Sequence, residues 1–380
     1  MLEHQREALS FIAGVVARED VDAVLISGDV YDRSLPSVEA VSLFEEGLLA
    51  LAQRCTVVVS SGNHDSAIRL GFGSQLFADR LHLRTSVDRI HEPVLLADEH
   101  GPVAIYGIPY LDPDLHRHSF GGEPLPRSHE AVLAAAMAKV HADLAARTSS
   151  GVRPRSVVLA HAFIVGGSGT STRSDSERDI RVGTVDSAPA TVFDGIDYTA
   201  LGHLHGPQEP RSAGAGIVRY SGSPLRYSFS EARHTKSVTL VDLGPDGVKS
   251  VSQVEVPQPR PMVELTGRMA DLLDPGRHAE HVGSWAKINV TDPLRPQQMH
   301  ARLRERFDHL VVSYHRPPSR TGDAGFAVAR ENADPVDVLI AFITGAQDAP
   351  ATSEQIALVR AAYEGVRQET EVSASCVSTT

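Results

Sequence analysis

Apolar residues along this chain alternate between short unbroken runs and stripes spaced three and four apart. Val24–Ile26, Thr56–Val59, Val157–Ala160 and Tyr198–Leu201 are runs of three or more largely apolar residues bounded by turn residues, which predicts buried strands. Residues 3–19 carry Ala8, Ile12 and Val15 or Val16 on one face and predict a helix. Val38, Val41, Phe44, Leu48 and Leu51 predict a core-facing crossover helix, with Pro36 in its first turn. Ser66 to Leu76 can start another helix, and Arg127 to Arg147 is a long Ala-rich one. Strand, helix, strand, helix is the opening of a doubly wound α/β fold. Residues 82–110 predict further strands, among them Val103 to Tyr110. Ile217 to Leu225, Ser237 to Leu243 and Lys249 to Val256 alternate as strands do.

Pro257-Gln258-Pro259-Arg260-Pro261 marks a boundary, because three prolines in five residues exclude a helix or a central strand. Beyond it, Trp285 to Thr291 predicts a strand, Arg295 to Phe307 a helix and His309 to Tyr314 a strand, a small α+β module. Asp334-Pro335 caps a helix with Val336, Leu339, Ile340 and Ile343 on one face. Ser353 caps a last helix with Ile356, Val359, Tyr363 and Val366 on one face, and the Ser/Thr-rich tail from Glu371 predicts fraying. The expected division is a core over 1–256, a capping domain over 257–346, and a partner-binding helix with a disordered tail over 347–380.

Hydrophobic residues make up 42% of the 380, ample for a buried core. The formal charge of −12 counts against a protein that holds DNA on a broad basic face. It does not count against metal-dependent chemistry, since bound cations add positive charge that no residue count includes. Cys55 and Cys376 match no ligand spacing and suit a reducing cytosol. No apolar run is long enough to span a bilayer. The expectation is a cytoplasmic protein with no membrane association.

Four predicted strands end in polar, chemistry-bearing residues. They deliver Gly28-Asp29 with Asp32 nearby, Gly62-Asn63-His64-Asp65, His161, and His203-Leu204-His205. In open α/β sheets, ligands bind outside the carboxyl ends of the strands. Carboxylate, amide and imidazole donors without thiolates suit Mn, Fe or Zn in a catalytic rather than a structural site. Two such metals about 3.5–4 Å apart can clamp both the attacking and the leaving oxygen of a phosphoryl displacement. Phosphate-ester hydrolysis is the reaction class this chemistry suggests. The histidines His278, His281, His300 and His309 have no ligand-like spacing and read as surface residues.

Gly28-Asp29-x-x-Asp32, Gly62-Asn63-His64-Asp65, the strand-end His161 and Gly202-His203-Leu204-His205 occur in the order typical of calcineurin-like metallophosphoesterases, which the chain resembles. Within them it is most similar to SbcD-type nuclease subunits of bacterial SbcC–SbcD complexes, through Asp22 to Ser34, Ser61 to Gly73, Ser174 to Asp179 and Tyr220 to Glu231. The resemblance implies an α/β metallophosphoesterase β-sandwich with flanking helices, a small α+β capping domain and C-terminal helices. It implies two divalent metals, Mn2+ by expectation. Asp29 would bridge them, Asn63, His161 and His203 would complete one shell, and His205 would reach the other metal. His64 would face the scissile phosphate, Asp65 would orient His64, and Asp32 would hydrogen-bond its own loop. The implied activity is DNA exonuclease and endonuclease cleavage with an SbcC-type ATPase, the nuclease forming a homodimer within a heterotetramer for DNA repair, recombination and replication.

The family also opens with a strand ending in Asp-x-His, whose side chains share a metal with the residue matched by His205. The sequence Met1-Leu2-Glu3-His4 begins past that point, and His4 lies in the first helical pattern. The expectation is that coding DNA upstream of Met1 supplies the strand, and that the 380-residue chain alone binds one metal strongly. Two other readings stay open: a phosphoesterase for nucleotides or phosphoproteins, and an inactive scaffold subunit.

Overall fold

The computed structural model describes residues 1–77, 80–166, 174–175, 177, 187–212, 214, 216–318, 334–347 and 350–377. Helix α1 (Leu2–Arg18) leads into strand β1 (Ala23–Ser27), helix α2 (Val38–Ala52), strand β2 (Thr56–Ser60), the short helix α3 (Ala67–Leu70) and strand β3 (Leu81–Arg84). The three strands form a parallel sheet in the order β1-β2-β3, with Ser27 opposite Ser60 and Ser60 opposite Arg84. A second sheet follows. Strands β4 (Val94–Asp98) and β5 (Gly101–Ile108) are antiparallel neighbours. Helices α4 (Pro113–His116) and α5 (His129–Ser149) then lead to β6 (Arg155–His161). After the two-residue pair β7 (Ile164–Val165) and β8 (Ala188–Pro189) come β9 (Tyr198–Gly202) and β10 (Ile217–Tyr220). The order β10-β9-β6-β5-β4 sets β6 and β9 side by side in parallel, with His161 opposite Gly202. A hairpin of β11 (Ser237–Gly244) and β12 (Gly247–Glu255) completes this part.

Why the two sheets face each other follows from the period of two along a strand. On β2, Val57 and Val59 point to a core shared with Val16 of α1 and Leu51 of α2. Val58 between them joins Val103, Ile105, Val157, Leu159 and Tyr198 of the second sheet. On β6, Val158 and Ala160 turn the other way, onto Val132, Ala136, Met137 and Val140 of α5. The layers are therefore helices, sheet, sheet, helix. A β-sandwich with flanking helices is what the family resemblance implied, and residues apolar on both faces of β2 and β6 fit it.

Several element boundaries differ from the sequence expectation. Val38 and Val41 of α2 are exposed, and the buried row is Leu43, Gly47 and Leu51. Gly47 sets that row, because α1 packs on α2 so closely that a Cβ there would sit 3.1 Å from Leu9. Helix α3 stops at Leu70 instead of running to Leu76, with Gly71 at its end and Gly73 left-handed at φ 74°.

By compactness the chain forms two units, one of Met1–Leu265, Pro275–Ile288 and Ala301–Val312, the other of Thr266–Asp274, Asn289–His300 and Ser313–Thr380. Strand β13 (Met262–Gly267), helix α6 (Met269–Leu273), strand β14 (Trp285–Val290), helix α7 (Met299–Arg306) and strand β15 (Leu310–His315) build a three-stranded sheet in the order β13-β14-β15. Helix α7 begins at Met299, not Arg295, because Pro296 and a left-handed Gln298 (φ 49°) precede it. In the second unit, α8 (Pro335–Gln347) and α9 (Ser353–Val377) contact each other. Their half-buried rows contain Val336, Ile340 and Ile343, and Ile356, Val359 and Tyr363. Helix α9 continues past Glu371, where fraying was expected, through a segment that holds neither Gly nor Pro. Among the described residues, no helix is long and apolar enough to cross a membrane.

The layer between the sheets should carry much of the stability. Leu159 is fully buried there, whereas Leu115 on α4 is 71% exposed. Leu159→Ala should lose about 2–5 kcal/mol of unfolding free energy in urea, and Leu115→Ala less than about 0.5 kcal/mol. Equal losses at the two positions would contradict this layering.

Candidate metal centre

The carboxyl ends of β1, β2, β6 and β9 meet at one point, and the contact between the two sheets there is unusually close. The Ser27 carbonyl accepts from His161 Nδ1 at 2.9 Å, and Ser27 Oγ donates to the Ala200 carbonyl at 2.9 Å. Gly202 lies so near that an added Cβ would overlap the Ser27 carbonyl oxygen. An added Cβ on Gly28 would meet the His161 ring, and one on Gly62 the Asp29 carboxylate. Three glycines at three strand ends are thus required by close approach, which their lack of a side chain permits.

Asp29 and His203 are both left-handed, at φ 48° and 106°. Non-glycine residues in sparsely populated regions cost roughly 1–3 kcal/mol each and cluster at functional sites. Asp29 Oδ1 accepts from the His64 amide at 3.0 Å, while Oδ2 lies 3.2 Å from His161 Nε2. Asn63 Oδ1 lies 2.9 Å from the same nitrogen. His203 stacks edge-on against His161, with ring centroids 5.5 Å apart. Donor atoms of Asp29, His161 and His203 all lie within 4.8 Å of one another. Both histidines are buried, at 2% and 5% exposure.

The chemistry of this donor set fits a cation. His161 gives its Nδ1–H to a carbonyl, which can only accept, so Nε2 is the nitrogen turned toward the carboxylate and the amide oxygen. Lone pairs from three residues then face each other, and only a positive charge among them relieves the repulsion. Without a metal a proton does it: burial opposes charge on His161, but Asp29 raises its pKa above the ordinary value. Burial opposes charge on Asp29 too, yet His161 and the His64 amide hold its carboxyl well below the usual range. Carboxylate, amide oxygen and imidazoles are the hard and borderline donors that divalent cations prefer.

The expected role of Asp65 needs correction. Its carboxylate does not orient the His64 ring. It accepts from the amides of Gly62 (2.8 Å), Tyr31 (2.9 Å) and Val30 (3.1 Å), and so ties the loop after β1 to the loop after β2. The His64 ring is held instead by the Asp32 backbone carbonyl, 2.9 Å from Nδ1. Its Nε2 lies 3.9 Å from Asp29 Oδ2. The Asp32 side chain is exposed and reaches Arg33 next to it at 3.4 Å, within its own loop as expected.

His205 lies outside the three-donor cluster among the described residues. Its Nδ1 is 3.0 Å from the buried Glu231 carboxylate, and its backbone amide donates to Glu177 at 2.6 Å. Of the Ser174-to-Asp179 run, Ser174, Asp175 and Glu177 are described, and the others lie outside the described residues. None of the histidines at 278, 281, 300 and 309 joins a donor cluster among the described residues. Sequence reasoning missed Ser27, Tyr110, Glu177, Glu231 and Lys236. Tyr110 donates its amide to the Ser61 carbonyl at 2.8 Å and sets its ring edge-on to His161. The signals on offer were position for Ser27, just before Gly28, and Tyr110, just past the end of a strand, and for Glu177 and Glu231 their places inside the 174–179 and 220–231 stretches.

A family model described as calcineurin-like phosphoesterase matches residues 3–207, more than half of the 380. The match contains all four strand ends and stops before Glu231.

Asp29→Ala and His161→Ala should each abolish tight binding of Mn2+ measured by calorimetry, and undiminished binding in the double variant would remove the centre assigned here. Asp65→Ala strands three amides, which should cost about 1–3 kcal/mol of stability and weaken Mn2+ binding as the loops separate. A thermal melt and titration indistinguishable from wild type would show that Asp65 does not clamp them.

Proposed function

This chain belongs to the calcineurin-like phosphoesterase family, and from that premise we propose that it is a manganese-dependent DNA nuclease subunit acting with an SbcC-type ATPase. Metal-dependent phosphoester hydrolysis is the family's chemistry. The observation that carries the reading is the meeting of Asp29, His161 and His203 donors within 4.8 Å, with His64 on the rim. Divalent metal in such a centre polarises a phosphoryl oxygen and makes water a nucleophile near neutral pH.

The residues around it have separable tasks. Asp29, Asn63, His161 and His203 would hold one metal, and Asp29 with His205 would contribute to a second. His64 would act on the substrate: with Nδ1–H donated to the Asp32 carbonyl, Nε2 is the nitrogen left for the substrate, and the ring in its imidazolium form would give a proton or hydrogen bond from Nε2 to a phosphate or leaving oxygen. Asp65 would keep the two loops in register, so that His64 and Asp29 stay side by side.

DNA as substrate is supported by the SbcD-like stretches at 22–34, 61–73, 174–179 and 220–231. A charge of −12 makes a stand-alone DNA-binding face improbable on electrostatic grounds, which suits a nuclease that receives DNA from a partner. We assign residues 1–256 as the nuclease core, 257–346 as a cap that ends in α8, and 347–380 with α9 as the ATPase-docking segment, which α8 adjoins. Val338, Leu339 and Phe342 of α8 and Leu358 of α9 are exposed, as an amphipathic docking surface requires. Ile68, Phe72 and Leu76, each more than 80% exposed, form an apolar stretch beside the His64 loop that suits a homodimer contact. A cytoplasmic location follows from the DNA substrate.

His64→Ala should keep Mn2+ binding and lose about 10²–10³ in turnover, the usual cost of removing one transition-state partner. The assay is cleavage of linear duplex and hairpin DNA with Mn2+ and the ATPase subunit. Hydrolysis of nitrophenyl phosphates or nucleotides with no DNA cleavage would replace this reading with a small-substrate phosphoesterase. Deleting residues 347–380 should abolish co-purification with the ATPase subunit, and unchanged association would exclude that segment as the docking element.

A further inference from the structure

Just beyond the family match lies a buried ion pair that grips one residue of the site. Glu231 and Lys236 are both fully buried, with Lys236 Nζ 2.6 Å from Glu231 Oε2. The ammonium gives its other two hydrogens to the His205 carbonyl and Ser223 Oγ, both at 2.8 Å. Glu231 Oε2 also accepts from the Tyr227 amide at 3.2 Å. Oε1 accepts from Ser228 Oγ at 3.1 Å and Ser174 Oγ at 3.2 Å, and faces His205 Nδ1 at 3.0 Å. Glu177 takes the His205 amide, and Tyr227 sets its ring against the imidazole at 5.9 Å. The amide, the carbonyl and the Nδ1 atom of His205 are thus all held by this cluster.

A buried ion pair is a poor device for stability alone, because removing two charges from water costs about what their attraction returns. Two apolar side chains would fill the space equally well. What they could not do is fix an imidazole in one tautomer. A carboxylate only accepts, so His205 must present Nδ1–H to it, which leaves the lone pair on Nε2. Lys236 in turn fixes which carboxylate oxygen faces the ring.

We propose that Glu231 and Lys236 are positioning residues for His205, holding its ring with Nδ1 protonated so that Nε2 carries the lone pair a divalent cation would take. The proposal rests on reading His205 as a metal-binding side chain, and the experiment separates the two.

Ring 15N spectra of the metal-free protein, with His205 assigned from His205→Asn, should show the Nδ1–H tautomer. In Glu231→Gln the single amide oxygen should go to the Lys236 ammonium, turning the amide NH2 toward the ring. His205 should then switch to Nε2–H, and calorimetric titration with Mn2+ alone should show an affinity about 10–100-fold weaker at the site containing His205. The double variant Glu231→Gln with Lys236→Met frees that oxygen and should restore both the Nδ1–H signal and the affinity, an effect a merely structural role would not produce. An Nε2–H signal in the wild type overturns the proposal without any variant, and so decides the matter even if Glu231→Gln does not fold. An unchanged tautomer in folded Glu231→Gln overturns the clamp while leaving His205 as a ligand. A switched tautomer with unchanged Mn2+ affinity overturns His205 as a ligand, and the clamp's purpose with it.

Discussion

Everything at the centre depends on how closely the carboxyl ends of β1 and β9 approach. The Ser27 carbonyl is the pivot, since it orients the His161 ring and fills the space above Gly202. A hydrogen bond between two sheets in a low-dielectric layer is electrostatically stronger than one at the surface. Because this one fixes a ring, it also sets which nitrogen meets Asp29 and Asn63. The left-handed backbone at Asp29 and His203 follows from the same constraint, since the chain must turn back at once to bring donors from facing sheets together.

That one of the covering layers is a second sheet came only from the family resemblance, but burial of β2 on both faces was legible in the sequence, because a strand run apolar on both faces lies between two packed layers. Val57, Val58 and Val59 say as much before any coordinates are known. The strand-end donors were legible because a polar residue at the end of a buried run is expensive unless it is used. Helix faces were harder. The α2 stripe was misjudged by about a third of a turn, since Val38 and Val41 are apolar yet exposed, and Gly47, which carries no hydrophobic signal, marks the true contact row. Helix α3 was overextended because Gly71 and Gly73 were outweighed by the leucines and phenylalanine around them.

Roles within the site were less legible than its members. Asp65 follows His64 in sequence, which suggested that it serves that ring, but side chains of adjacent residues diverge. Its carboxylate points back across the loop to amides 34 and 35 residues away. The buried pair of Glu231 and Lys236 was invisible for another reason. A charged pair five residues apart looks like surface, and only tertiary packing around Lys236 and Glu231 shows that neither touches solvent.

Ser27 and Ala200 are 173 positions apart, and their contact has a kinetic side. At about 5–20 residues per second of synthesis, the strand carrying Asp29 leaves the ribosome on the order of ten seconds or more before β9. During that interval β1 and β2 can pair with each other and then with β3, while the facing sheet still lacks β9 and the His203 donor that follows it. Contacts of such long sequence separation also form slowly once the chain is whole, because the intervening loop must be closed first. The first sheet with α1 and α2 is therefore an early, local product of folding. Capacity to hold a cation arrives late, as a single event, when the second sheet docks.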